Sequence, residues 1–336
     1  MPFPGCERAF QHRRSGGRQQ EFFGPLSRRG FNDESRRQAR KRVKARACFP
    51  QLWPEPRLVG LPGQSILREG YNPLVLELVF KIVGALILVA LGVAYVRGWR
   101  RLAGAGHPPP RWRLALYVFA LVALALALLG LDEAADSRFS WHMIQHLLLV
   151  MVAAPLVLLG NPLPLVMWGL SHTVRCRLAA ATLRPATTVR RALVMLSSLP
   201  VAGALYVITV WGWHLPALYD AAAEHELVHV VEHAMLLGTA LLFWWPVIRP
   251  APRFHPPAHP GLVIAYLVAA TAQNTALGMA LTVPDRAFYP HYVSAAARLG
   301  ISAADDQAFG GGLMWSMGHM YLLPILVILY AFAREY

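Results

Sequence analysis

Residues 140–160 read SWHMIQHLLLVMVAAPLVLLG: two histidines four apart, then a run that is almost wholly apolar to a glycine. A hydrocarbon core of roughly 30 Å needs about 17–25 residues of helix, so this stretch reads as a membrane span that carries imidazoles into one end. The rest of the chain agrees. Its 336 residues are 56% hydrophobic and only 15% charged, with a positive mean hydropathy, which lies outside the usual range for soluble domains. Seven segments pass the length test, at approximately 74–96, 114–131, 142–160, 192–213, 227–248, 262–283 and 311–332. Between them stand GHPPPR at 106–111, GNPLP at 160–164 and RPAPRFHPPAHPG at 249–261, sequences that end helices. The expected fold is an all-α integral membrane protein, a bundle of about seven transmembrane helices over residues 74–336.

The net charge of +14 is concentrated ahead of that bundle: residues 1–50 hold 13 Lys/Arg against 4 Asp/Glu. With no apolar period and no aromatic interleaving, residues 1–73 are expected to be a disordered basic leader. An arm for anionic lipid or nucleic acid is the weaker reading of its charge, and no nucleic-acid partner is expected. No apolar h-region follows the basic residues before Leu74, so a signal peptide is not expected either. Met1 is the only methionine before Met143, and a start codon assigned too far upstream would account for the leader.

Lys/Arg counts in the short loops set an expected orientation. Loops 97–113, 171–191 and 249–261 hold 5, 5 and 2, whereas loops 132–141, 214–226 and 284–310 hold 1, 0 and 2. Positive charge resists translocation, so the first set is expected inside and the second outside. His142 and His146, His214, then His225, His229 and His233, and His319 all then fall on the outer side, on four helices from distant parts of the chain. Histidines four apart share a helical face, and His146 sits about 6 Å deeper than His142. Met143, Met314, Met317 and Met320 add thioethers. Imidazole with thioether suits copper, Cu(I) in particular, better than the oxygen-seeking magnesium or calcium.

Other readings stand beside copper. A single histidine at a helix end is more often an interfacial residue bonded to a carbonyl or a head group, whereas ionisable groups deeper in a span are rare and functional. HELVH at 225–229 and HVVEH at 229–233 fit zinc-peptidase patterns, which makes an intramembrane zinc metalloprotease the main alternative. A pair such as His146 with His229 would also suit b-type haem. Glu232 is expected to orient a metal-bound imidazole rather than to activate water. Gln273 and Asn274 line a polar path or pair between helices. Trp141, Trp211, Trp213, Trp244 and Trp245 fall near span ends, as an aromatic belt requires. Cys6, Cys48 and Cys176 form no C-x-x-C pair, so dithiol chemistry is not expected.

Four blocks, HMIQHLLLVMVAAPLVLLGNPLP at 142–164, WHLPALYDAA at 213–222, HVVEHAMLLGTALLFWWPVIRPAP at 229–252 and DQAFGGGLMW at 306–315, resemble in order the signature blocks of the CtaG family. These are bacterial caa3-type cytochrome c oxidase assembly factors. The resemblance covers roughly residues 74–332 and implies a seven-span protein of the bacterial plasma membrane. It also implies a non-enzymatic role, with haem-copper oxidase subunits as partners and a part in copper handling. Carried over residue by residue, the family positions are His142, His146, His214, His229, Glu232, His233, Asp306, Gln307, Gly310, Gly311 and Trp315. His225, Glu226 and His319 depart from that pattern. The expected metal ligands are thus His142, His146, His214, His229 and His233, with Glu232, His225, His319, Met143 and Met317 as possible accessories. Asp306 is expected to cap the seventh helix, and Gly310 and Gly311 to allow close approach.

Overall fold

The computed structural model describes residues 73–183 and 187–335, and the regular structure of those residues is helical. The basic leader lies outside the described residues. In chain order the helices are α1 (Pro73–Gly104), α2 (Arg111–Gly130), α3 (Asp132–Ser137), α4 (Phe139–Leu159), α5 (Pro162–Gly169), α6 (His172–Leu183) and α7 (Thr188–Leu196). They continue as α8 (Leu199–Trp213), α9 (Pro216–Glu224), α10 (Glu226–Ile248), α11 (Pro260–Thr282), α12 (Pro290–Leu299), α13 (Ala303–Gly318) and α14 (Leu322–Glu335). A 3-10 turn, His319–Tyr321, joins the last two.

Six stretches are long and apolar enough to cross a membrane: α1, α2, α4, α10, α11 and the α13–α14 run. The expected fourth span, 192–213, is not one straight helix. α7 and α8 meet at 73°, and counting them together gives the seventh crossing. Pro200 lies in the first turn of α8, where its missing N–H and its ring forbid a continuous ladder back into α7. Ser197 bonds the Leu193 carbonyl at 2.6 Å at the break. α8 rises roughly 22 Å, short of a full hydrocarbon core.

α4 is the most enclosed of the straight spans and α1 the most exposed. α4 is distorted where Pro155 removes a backbone donor, and residues Leu148–Ala153 are wound as a π-helix. A carbonyl within that turn, Val150, accepts from the indole N–H of Trp244 on α10 at 3.0 Å. Similarly, α2 ends in a π turn, Leu126–Gly130, whose Ala127 carbonyl accepts from the buried Gln145 amide at 2.6 Å. Unsatisfied backbone groups cost several kcal/mol in lipid, so these side chains fix the rotation of α4 against its neighbours. Trp244 and Trp213 are therefore core residues, 4% and 7% exposed, and not members of an aromatic belt.

Asp306 departs from expectation as well. Ser302 caps α13 by accepting from the Asp305 amide. The Asp306 carboxylate instead accepts from the Ser140 hydroxyl at 2.5 Å and the Ser140 amide at 3.2 Å, capping the first turn of α4. Gln307 is buried and pins the chain ahead of α12, accepting from the Phe288 amide at 2.7 Å and donating to the Leu281 carbonyl at 3.1 Å. A Cβ at Gly310 would strike the Phe139 ring, and one at Gly311 would strike the Gly278 carbonyl, so these glycines let α4 and α11 approach α13. Asn274 joins the same seam by donating to the Met314 carbonyl at 2.8 Å, and Gln273 accepts from Trp211 at 3.0 Å. Both amides thus pair between helices.

Replacing Asp306 by Ala removes the cap and should cost about 1–2 kcal/mol, visible as a lower thermal midpoint in detergent. Asp306→Asn keeps an acceptor and should lose less. Asp305→Ala, at an exposed position on the same turn, should leave the midpoint unchanged.

Candidate metal centre

Two spans and one helix end supply the site. α4 presents His142 and His146 one turn apart, α10 presents His229, Glu232 and His233 on a single face, and His214 follows the last residue of α8. Spacings of three and four residues make each set converge, as helical geometry demands. The imidazole centroids lie 4.3 Å apart for His142 and His146, 4.1 Å for His229 and His233, and 5.2 Å for His142 and His229 across the two helices.

Ligand atoms of His142, His229, Glu232 and His233 all fall within 4.8 Å of one another. A metal ion with N and O ligands at about 2.0–2.2 Å spans at most ~4.4 Å between them, so a small inward movement of the side chains would close the set around an ion. His146 flanks the group, its Nε2 3.6 Å from Glu232 Oε1, while His142 Nε2 stands 3.5 Å from Glu232 Oε2. Both separations exceed good hydrogen-bond length.

Hydrogen bonding behind the histidines fixes their tautomers. Tyr292 has one hydroxyl proton and donates it to the Ala135 carbonyl at 2.9 Å. At 2.7 Å from His142 Nδ1 it must then accept, so Nδ1 carries the proton and Nε2 offers a lone pair to the cluster. His214 repeats the arrangement, with Nδ1 donating to the Val210 carbonyl at 2.6 Å and Nε2 free. A histidine held in this way is set up for metal ligation through Nε2.

The centre gathers buried polar atoms without hydrogen-bond partners. Glu232 is fully buried, and both its oxygens lack a hydrogen-bond partner, as do Nε2 of His142, His214, His229 and His233 and both nitrogens of His146. The Nε2 lone pair of His142 therefore faces the Glu232 oxygens at membrane depth. An ionised carboxylate left so costs several kcal/mol, more than the packing of one side chain returns. A proton shared with an imidazole or a bound metal ion relieves it. The donor set, three imidazoles and a carboxylate, fits a borderline transition metal.

Other singled-out residues fall elsewhere. His225 is exposed at the start of α10, so HELVH does not bring its two histidines together, whereas His229, Glu232 and His233 of HVVEH all converge. His319 is exposed, its Nδ1 3.2 Å from the Trp315 carbonyl. Met317 is part of the packing, Trp315 is exposed, and Met143 is buried under Gly310. Sequence reasoning missed Tyr292 and Tyr219. Tyr219 lies inside the quoted WHLPALYDAA block, buried with its ring centroid 5.0 Å from that of His142. Tyr292 lies in no quoted block, and no signal pointed to it.

α3, α9 and α12 cover this end of the bundle. Tyr289 donates to the His214 carbonyl at 3.1 Å, and His291 Nε2 lies 3.3 Å from the Asp136 carboxylate. That carboxylate holds the His291 imidazole above its ordinary range, and the imidazole holds Asp136 below the usual carboxylate range. Asp220, half-buried in α9, is pushed up to about 6 by desolvation.

The cytochrome c oxidase caa3 assembly factor family matches residues 93–335. Among curated proteins, an uncharacterized protein of Mycobacterium leprae is 26% identical over 263 residues, covering 76% of this chain and 38% of the relative. Uncharacterized proteins of Mycobacterium bovis and Mycobacterium tuberculosis are each 26% identical over 253 residues, covering 74% of this chain and 37% of theirs. The chain thus spans well under half the length of the curated relatives it matches. No solved structure matches.

Two outcomes follow from the geometry. Glu232→Gln removes the buried charge, so the metal-free variant should unfold at a higher temperature than the parent. It should also gain less from added metal, where a site at a hundredfold over Kd contributes about 2.7 kcal/mol. The Asp136–His291 latch should hold best between the unfolded pKa of Asp, about 3.9, and that of His, about 6.5. Its contribution is lost upward as pH passes the raised imidazole pKa and downward as pH passes the depressed carboxyl pKa. Asp136 is largely exposed, so the effect is below about 1 kcal/mol. Asp136→Asn should flatten the thermal midpoint between pH 6 and 8.

Proposed function

Because the chain belongs to the cytochrome c oxidase caa3 assembly factor family, we propose that it serves oxidase assembly by holding copper at the His142–His229–Glu232–His233 site and passing it to a nascent oxidase subunit. The observation that carries this reading is the convergence of four ligand side chains from two spans, their donor atoms within 4.8 Å and without partners. Imidazole nitrogens with buried methionines nearby suit Cu(I), and a single carboxylate neutralises a monovalent ion in low dielectric. The cavity beside the cluster, about 30 Å³, accommodates an ion and not a porphyrin, which argues against haem. Zinc remains the competing metal, since HVVEH lies wholly within the centre. Glu232 is closed off from solvent, which suits a ligand or charge partner better than a base that must reach water and a peptide.

In this reading the protein sits in the bacterial plasma membrane with α3, α9 and α12 outward, an orientation that the Lys/Arg distribution of the loops supports. Copper is the cargo. His142, held through Tyr292, would present Nε2 to it, and the carboxylate of Glu232 would balance its charge. Transfer would proceed by ligand exchange, with protons competing for the imidazoles.

Purification in detergent followed by metal analysis and a visible spectrum tests the reading. Stoichiometric copper should be present, fall at least tenfold in His229→Ala/His233→Ala, and decline as pH drops from 7 to 5. Zinc with peptide hydrolysis that requires Glu232 would replace copper delivery with a metalloprotease. Absence of any metal would reduce the role to gripping oxidase subunits.

A further inference from the structure

Below the His/Glu centre the bundle keeps a second chamber with a different donor set. A cavity of about 30 Å³ is walled by His146, His214, Asn274, Tyr206 and the three methionines Met143, Met151 and Met314, the rest of its lining being apolar. His214 has its Nδ1 committed to the Val210 carbonyl and its Nε2 unprotonated, buried and unpartnered. His146 is buried with neither ring nitrogen partnered, and its centroid lies 6.4 Å from that of His214, the rings inclined at 73°. The wall contains no carboxylate. Three thioethers line the chamber beside the two imidazoles, and thioethers are good donors to a soft ion. One N–H of the Asn274 amide is held by the Met314 carbonyl.

We propose that His146 and His214, with the thioethers of Met143 and Met314, form a second metal subsite selective for a soft monovalent ion, Cu(I) or Ag(I), distinct from the His142–His229–Glu232–His233 set. His146 stands between the two, its Nε2 3.6 Å from Glu232 on one side and its ring a wall of the cavity on the other. An ion could therefore exchange a ligand set of nitrogen and oxygen for one of nitrogen and sulfur without leaving the bundle. The subsite deepens the copper reading only in the identity of its natural ion; its existence is tested with silver alone.

Full-length selenomethionyl protein in detergent would be loaded with Ag(I), and X-ray absorption at the silver edge would read metal–selenium scattering. The expected result is selenium scattering in the parent that persists in His229→Ala/His233→Ala, which should lose only the other equivalent of silver. In Met143→Leu/Met314→Leu, a volume-conserving change that spares the core, that scattering should vanish while nitrogen or oxygen scattering survives. His214→Ala should abolish it as well. Parent protein with no selenium scattering, scattering that survives Met143→Leu/Met314→Leu, or scattering lost together with His229 and His233 would each overturn the proposal. Loss of copper from the His/Glu site with selenium scattering intact would instead overturn the delivery reading and leave this subsite standing.

Discussion

The charge of Glu232 is the constraint around which this end of the bundle is organised. A carboxylate at 0% exposure, inside a span, with both oxygens unpartnered, is costly by several kcal/mol wherever the nearest groups are neutral imidazoles. Replacement by an apolar residue of similar size would be expected to stabilise a helix bundle whose only task was to pack. Its presence beside His142, His229 and His233 makes sense when the site's bound state includes a cation.

The side chains around Glu232 are held in place by groups remote in sequence. Asp306 on α13 caps the turn of α4 that leads to His142, and Tyr292 on α12 holds the His142 ring by Nδ1. Gln145 and Trp244 satisfy carbonyls of the two π turns on either side of His146. Gly310 and Gly278 remove the side chains that would hold α4, α11 and α13 apart. Each of these fixes the position or rotation of a ligand-bearing helix, and precision at a metal site depends on such secondary contacts.

Much of this was legible in the sequence because apolar length and helical spacing are local properties. The spans, the shared face of His142 with His146 and that of His229 with His233 need only a period of 3.6. The break between α7 and α8 was harder to see, since Ser197, Ser198 and Pro200 interrupt hydrogen bonding inside a stretch that remains apolar enough to span. The true partner of Asp306 was invisible, because its acceptor role is defined by Ser140, 166 positions away, and a carboxylate in a first turn looks like a cap for its own helix. Trp244 misled for the same reason: nothing in its flanking residues announces a π turn on α4 with a carbonyl to satisfy. Histidine chemistry alone also could not separate His225 and His319 from the rest, since exposure depends on which neighbours cover each face.

The two donor sets share one helix, and this limits how they can work together. His142 and His146 are one turn apart on α4 and meet edge to face at 4.3 Å, too close for two ions to sit between the same pair of rings without strong repulsion. His146 lies within reach of the Glu232 oxygens and walls the methionine-lined chamber, so its ring borders both donor sets. Its two ring nitrogens are both unpartnered, unlike those of His142 and His214, whose Nδ1 protons are anchored. The one imidazole among these three that no hydrogen bond fixes thus stands at the junction of the two chambers, the position that the proposed transfer assigns to a shared ligand.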